Sequence, residues 1–308
     1  MISTPAVDLG VTIGGLRLAN PILAASGTFG YGIEFAELVD LNRLGGIVVK
    51  GLSAQPLEGA PAPRMCPTPG GMLNAVGLQN VGVRAFVSEK LPALRAYRTP
   101  IIANVFGHSI EEYVDVIRVL EAADGLAAYE LNISCPNVRG GGSHFGTDPV
   151  MTAQVVSAAR AAARRPLWVK LSPLVTDIAC IARAAEAAGA DALTVANTYP
   201  AMAVDIKTRS SRLGRESGGL SGPAVKPMTL RLVWQTYNSV KIPVIGLGGI
   251  ERPEDVLEYL LVGATAVQVG TAHFVDPRAS ATLLDGLRNL CESSNLTKIS
   301  DLKGKFKV

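Results

Sequence analysis

Eight short apolar runs recur along this chain, each followed by polar or glycine-rich residues and then a longer stretch, and they restrict the fold more than any other feature. The runs are Pro21–Ala25, Gly46–Lys50, Pro100–Asn104, Ala128–Asn132, Pro166–Leu171, Ala192–Ala196, Pro243–Gly246 and Ala266–Val269. A strand with one wet face alternates apolar and polar residues, whereas a strand buried on both faces reads as an unbroken apolar run. The intervening segments repeat apolar residues at helical spacing, most clearly in Ser109–Ala123, Pro149–Ala163, Asp177–Ala188 and Pro253–Val262. Two of them have marked starts. Ser109 stands three residues before Glu112, and Asp148 precedes a proline suited to a first helical turn. Eight strand–helix units predict an α/β fold of the (β/α)8 TIM-barrel type; a doubly wound open sheet is the alternative, and the even spacing favours closure. Ahead of them, Val7–Leu18 alternates around Gly10 and Gly14-Gly15, which predicts a small N-terminal β-hairpin.

No linker or compositional break divides the chain, so residues 1–308 are expected to form a single domain. Hydrophobic residues at 48% and charged residues at 18% supply a large core and argue against disorder. A net charge of +3, without a Lys/Arg stripe interleaved with aromatics, gives no footprint for nucleic acid. The four cysteines, Cys66, Cys135, Cys180 and Cys291, lie far apart with no C-x-x-C pair. That spacing supports neither a zinc site, an iron–sulfur cluster nor a disulfide framework within the chain, and it suits a reducing compartment. The first eight residues carry no basic region or apolar stretch, and no run approaches the roughly 20 apolar residues of a membrane span. A cytoplasmic protein that neither spans nor lies on a membrane is the expectation.

In such a barrel the active site lies at the C-terminal ends of the strands. Those ends carry Ser26-Gly27, Lys50-Gly51, Asn104, Asn132, Lys170, Asn197-Thr198, Gly248-Gly249 and Gly270-Thr271. Any one could mark a strand leaving for solvent; together they describe one polar, amide-rich mouth with two cations. Two long insertions, Leu52–Asn80 and Tyr199–Ser221, belong to the same face and read as lids or binding loops rather than decoration. The glycines after the seventh and eighth runs expose backbone N–H groups near helix starts, the makings of a phosphate cradle, although tight turns alone would also use them. The phosphate could belong to a substrate or to a mononucleotide such as FMN; no G-x-G-x-x-G follows the first strand, so a dinucleotide site is unsupported. Lys170 would suit FMN, because a cation beside the pyrimidine edge stabilises charge on a reduced flavin.

The fourth run continues as Tyr129-Glu130-Leu131-Asn132-Ile133-Ser134-Cys135-Pro136-Asn137 and then Gly140-Gly141-Gly142. Cys135 could be an ordinary buried cysteine in a turn, or a thiolate acting as base or nucleophile. With an ordinary pKa of roughly 8.5 it needs help to act as a base near neutrality, and it has no adjacent histidine. His108, His144 and His273 read as structural or solvent-facing.

Glu130–Asn137 with its glycine tail, Asn74-Ala75-Val76-Gly77-Leu78-Gln79-Asn80, Ala196-Asn197-Thr198 and the paired glycine loops together resemble the dihydroorotate dehydrogenases. The likeness runs from Asn20-Pro21 to Gly270-Thr271, and it is nearest to the FMN-containing catalytic subunit of class 1B. The membrane-associated class has serine at the cysteine position. The fumarate-using single-subunit class typically reads N-S-x-G-L-P-N where this chain reads N-A-V-G-L-Q-N.

The resemblance implies oxidation of (S)-dihydroorotate to orotate in pyrimidine biosynthesis. It implies FMN held by Ser26, Lys50, Gly51, Asn104, Asn132, Lys170, Ala196, Gly222, Gly248, Gly249, Gly270 and Thr271. Substrate would be held by Lys50, Asn74, Ala75, Val76, Gly77, Leu78, Asn132, Asn137, Asn197 and Thr198. Cys135 would remove the C5 proton while hydride passes from C6 to flavin N5. Class 1B further implies a homodimeric core joined to a partner subunit carrying FAD and a 2Fe-2S cluster, a heterotetramer passing electrons to NAD+. A fumarate-reducing single-subunit enzyme and a flavin-free phosphate-binding barrel are the alternatives; the flavin domain of dihydropyrimidine dehydrogenase is also similar. Leu52-Ser53-Ala54-Gln55-Pro56 is less threonine- and charge-rich than the family's usual loop, which leaves its contacts open.

Overall fold

The computed structural model describes residues 7–134 and 145–307. All eight expected strands form, as β1 (Ile22–Ala24), β2 (Gly46–Val48), β3 (Ile101–Val105), β4 (Ala128–Asn132), β5 (Leu167–Lys170), β6 (Ala192–Val195), β7 (Val244–Leu247) and β8 (Ala264–Val269). They close into a parallel barrel in chain order, with β8 returning to β1 through Val267↔Ile22 and Val269↔Ala24. Nearly every residue of these strands is buried, because side chains on one face fill the barrel and those on the other meet the surrounding helices.

The helices bury the stripes that their periodicity foretold. Ile110–Glu121 turns Tyr113, Val116, Ile117 and Leu120 inward, at i, i+3, i+4 and i+7. Its start is held reciprocally: Ser109 Oγ accepts from Glu112 N at 3.3 Å, and the Glu112 carboxylate accepts from His108 N at 2.6 Å. Asp148 caps Pro149–Ala162 by accepting from Met151 N at 2.8 Å, and Asp177 caps Ile178–Ala187 in the same way.

The N-terminal hairpin pairs Val11–Ile13 with Leu16–Leu18. Its turn glycine, Gly14, has φ +54° and would place a Cβ only 2.7 Å from Cβ of Asp191, the residue just before β6. The hairpin therefore sits at the N-terminal end of the barrel, with Ile13 and Leu18 fully buried.

The two long insertions are not independent loops. Met65–Thr68 and Gly71–Asn74 from the first pair with Gly218–Ser221 and Tyr199–Ala201 from the second in one antiparallel sheet. This sheet has a small core of its own, in which Cys66, Leu73, Ala75 and Leu213 are buried. It stands on the C-terminal face of the barrel and forms one wall of the cavity there.

Candidate active site

A cavity of about 450 Å3 opens at the C-terminal mouth of the barrel. It gathers every candidate residue that lies in the described parts of the chain. Ser26, Lys50, Gly51, Asn104, Asn132 and Lys170 line it from the ends of β1 to β5, and Ala196, Asn197 and Thr198 from the end of β6. Asn74, Ala75, Val76, Gly77 and Leu78 line it from the first insertion, and Gly222, Gly248, Gly249, Gly270 and Thr271 from the glycine-rich side. Cys135, Asn137 and His144 lie outside the described residues.

The amide end is an ordered network. Ser134 Oγ donates to Asn132 Oδ1 at 2.7 Å, and Asn197 Nδ2 donates to Ser134 Oγ at 2.8 Å and to Asn132 Oδ1 at 3.5 Å. With its oxygen engaged in this way, Asn132 offers its NH2 to the cavity. Asn197 Oδ1 accepts from Thr198 N at 2.9 Å, so its side chain is fixed from both ends. Tyr113, on the helix after β3, donates to the Asn132 carbonyl at 2.8 Å and anchors the strand end.

Lys50 lies two residues beyond β2, and burial lowers its pKa from the ordinary 10.5, with the nearby Lys170 and Arg64 lowering it further. Three cations sharing one region suit a ligand that brings negative charge. Arg64 is itself fixed: it donates to the Ala60 and Glu58 carbonyls at 2.6 and 2.8 Å and to Gln79 Oε1 at 2.7 Å, tying together the loop that carries Asn74–Leu78.

The glycine end is built from three backbone segments pressed together. Gly249 has φ +69°, and a Cβ there would stand 2.8 Å from both the Gly222 carbonyl oxygen and Lys226 Cβ. Thr271 Oγ1 donates to Ser221 Oγ at 2.7 Å, joining the loop after β8 to the same place. Gly222 caps a helical stretch that runs from Pro223 to Tyr237, and Ala224 N donates to the Gly70 carbonyl at 2.9 Å, so the start of this helix is tied to the first insertion beside the cavity. The loop after β7 is braced from behind. Tyr259 donates to the Gly248 carbonyl at 2.6 Å, while Asp255 accepts from Glu251 N, Arg252 N and Lys226 Nζ at 2.9, 2.8 and 2.6 Å. Burial pushes the Asp255 carboxyl up, but these donors outweigh it and hold its pKa below the usual value. Gly270 differs, since a Cβ there meets nothing nearer than 3.8 Å. The space beside it is open to a ligand.

This arrangement fits FMN. The glycine cradle suits a phosphate, the amides and lysines suit the polar edge of a flavin ring, and Asn104 Oδ1 is buried with no protein partner. Among the described residues no group of His, Cys, Asp and Glu could hold a metal ion, and Cys66, Cys180 and Cys291 are free thiols. No described helix is long and apolar enough to cross a membrane. His273 is structural: it is buried against Phe29 and Phe35, contacts Ser280 Oγ at 2.9 Å, and burial drives its pKa down to about 4. His108 is exposed.

Several contributors carry little signal in the sequence. In sequence Ser134 stands out only as a neighbour of the cysteine, and Gly218, Gly219 and Ser221 only as part of an insertion. Glu130, Thr194 and Gln268 form a buried polar layer inside the barrel. Their one legible signal is a polar residue at an inward position of an otherwise apolar strand.

The fold and cavity define a TIM barrel whose C-terminal mouth is rich in amides and lysines at one end and in glycine loops at the other. Residues 8–291 match the family model for dihydroorotate dehydrogenase, and the chain belongs to that family, whose members are in general FMN-dependent. It is 56% identical over 300 residues to a Solibacter usitatus protein assigned as dihydroorotate dehydrogenase A (fumarate), covering 97% of this chain and 99% of that one. It is 54% identical over 296 residues to the Trichlorobacter lovleyi dihydroorotate dehydrogenase B (NAD(+)) catalytic subunit, covering 96% and 97%. Among solved structures, the Eimeria tenella enzyme in complex with ferulenol superposes with a TM-score of 0.81 at 21% identity, over 99% of this chain and 90% of that one; that likeness shows the shared barrel.

Proposed function

We propose that this chain is the FMN-containing catalytic subunit of a class 1B dihydroorotate dehydrogenase, oxidising (S)-dihydroorotate to orotate in pyrimidine biosynthesis. The observation that carries the reading is the convergence in one cavity of a glycine cradle, two lysines and four asparagines, Asn74, Asn104, Asn132 and Asn197. FMN bound there would supply a two-electron acceptor for hydride. The residues assigned to it are Ser26, Lys50, Gly51, Asn104, Asn132, Lys170 and Ala196 for the ring side and Gly222, Gly248, Gly249, Gly270 and Thr271 for the phosphate side.

The substrate is an anion with ring N–H and carbonyl groups, and the protein groups match it. Lys50 supplies positive charge; Asn132 offers an NH2, and Asn74, Asn197, Thr198 and the backbone of Ala75–Leu78 complete the polar rim. Asn137 is a further ring contact. Cys135 follows Ser134 by one residue and is the general base at C5; the Ser134–Asn132–Asn197 network fixes the chain up to that point.

The names of the relatives divide between fumarate and NAD(+). The substrate loop Asn74-Ala75-Val76-Gly77-Leu78-Gln79-Asn80 favours the NAD+ type, in which a homodimer of this chain joins a subunit with FAD and a 2Fe-2S cluster. The test is anaerobic reduction by dihydroorotate, followed by reoxidation with fumarate, with NAD+ alone, and with NAD+ plus candidate partner subunits. Bleaching of a flavin band, with reoxidation by NAD+ only when a partner is present, is the expected result. Rapid reoxidation by fumarate would move the chain to the single-subunit class, and a chain that binds no flavin would leave the flavin-free barrel.

A further inference from the structure

Below the cavity, the barrel interior holds a carboxylate that does not line the ligand space. Glu130 is fully buried in the middle of β4. It accepts from Asn104 Nδ2 at 2.8 Å, from Thr194 Oγ1 at 2.7 Å and from Gln268 Nε2. Those donors stand on β3, β6 and β8, so one side chain ties four strands across the barrel. Carboxylate oxygens can only accept, so the atom Asn104 turns toward Glu130 is its NH2. Its Oδ1 is consequently left on the other side. That oxygen is buried without a protein partner and lies 2.9 Å from where a Cβ on Gly51 would stand. Both Asn104 and Gly51 line the cavity. An asparagine without such a constraint could offer a ligand either end of its amide. A buried acceptor with no donor is costly, and a ligand N–H would relieve it.

We infer that Glu130 is a positioning residue that holds Asn104 with its carbonyl oxygen toward the cavity, as a fixed acceptor for an imide-type ring N–H. The inference rests on the proposal that the cavity takes FMN, whose oxidised ring carries one such group, at N3. Glu130 acts through Asn104 and touches no ligand itself.

The test is equilibrium binding of FMN and of 3-methyl-FMN to the apoprotein, read by quenching of flavin fluorescence. The wild-type chain should prefer FMN by about tenfold or more, the worth of one buried hydrogen bond. Glu130→Gln and Asn104→Ala should each reduce that preference to near one, and the double variant should lose no more than either single. A substitution that merely loosened the barrel would weaken both flavins equally and leave the ratio intact, which would overturn the inference, as would equal binding of the two by the wild type. Should Glu130→Gln fail to fold, Glu130→Asp answers the same question, because it keeps a carboxylate in the barrel but draws it back from Asn104 Nδ2. Retention of the full preference in Glu130→Asp would overturn the role of Glu130. A wild-type apoprotein that binds neither flavin would strike the proposed function instead.

Discussion

The Asn74 side-chain amide donates to the Gly219 carbonyl at 3.1 Å, bridging two insertions that lie 145 residues apart in the chain. Both residues line the cavity, and a Cβ on Gly219 would stand 2.0 Å from Thr198 Oγ1. The wall is thus pressed against a residue at the end of β6, and its position bears directly on ligand fit.

Asn74→Ala should therefore weaken orotate binding to the FMN-loaded protein by about tenfold, the loss of about 1 kcal/mol of hydrogen bonding at the wall together with a ring contact. FMN retention should be unchanged. Titration of the flavin spectrum with orotate measures both, and unaltered orotate affinity would remove Asn74 from the site.

Lys50 predicts an alkaline limit on ligand affinity. Burial, Lys170 and Arg64 lower its pKa in the folded protein, while an anionic ligand favours its charged form. Orotate affinity is thus complete below the lowered pKa and falls as pH rises through it. The sign for folding is opposite: the unfolded chain holds the Lys50 proton more tightly, so stability rises between the lowered pKa and 10.5. Lys50→Met should weaken orotate and flatten the alkaline limb of a plot of its dissociation constant against pH. An unchanged limb would assign that titration elsewhere.

The glycines of the cradle should separate into two kinds. Gly249→Ala forces a side chain onto φ +69° and into the Gly222 carbonyl, so strain of about 1–3 kcal/mol should lower the apoprotein melting temperature. Gly270→Ala meets open space, so the apoprotein should melt as the wild type does while FMN binds at least tenfold more weakly. Thermal melts with and without FMN distinguish them. Equal FMN affinity in Gly270→Ala would show that the phosphate sits elsewhere.

Cys135→Ala should keep FMN but slow its reduction by dihydroorotate by about 10²–10⁴-fold, the usual worth of a positioned base. Cys135→Ser should retain some rate at high pH, where a hydroxyl gives up its proton more readily. Anaerobic stopped-flow absorbance gives the rate directly, and undiminished reduction in the alanine variant would take the base role away from Cys135.

The barrel was legible because its strands announce themselves by short, largely apolar runs and most of them also by an abrupt polar residue at the exit. Lys50, Asn104, Asn132 and Lys170 were found by that switch, and all four line one cavity. Glu130 offers a single signal, an acidic residue between Tyr129 and Leu131 of an apolar strand, and that signal does not say which side chains it meets inside the barrel. The wall was illegible for a different reason. Its strands are three or four residues long, two of them carry glycine, and pairing such as Gly219↔Asn74 depends on contacts remote in sequence. Arg64 shows the same limit, because its partners are backbone carbonyls of a loop whose path only the fold defines. Cys135 and Asn137 rest on motif alone.

The shared sheet also sets the unit in which this site can be exchanged between proteins. Gly71–Asn74 and Gly218–Ser221 are each other's neighbours, and each shields the other's backbone N–H and C=O groups. A chimaera that took one insertion from a relative and kept the other would expose a glycine-rich edge beside a ligand cavity, open to mispairing. Recombination of this barrel with its relatives should succeed when residues 52–80 and 199–221 travel together, as a single cassette encoded in two places.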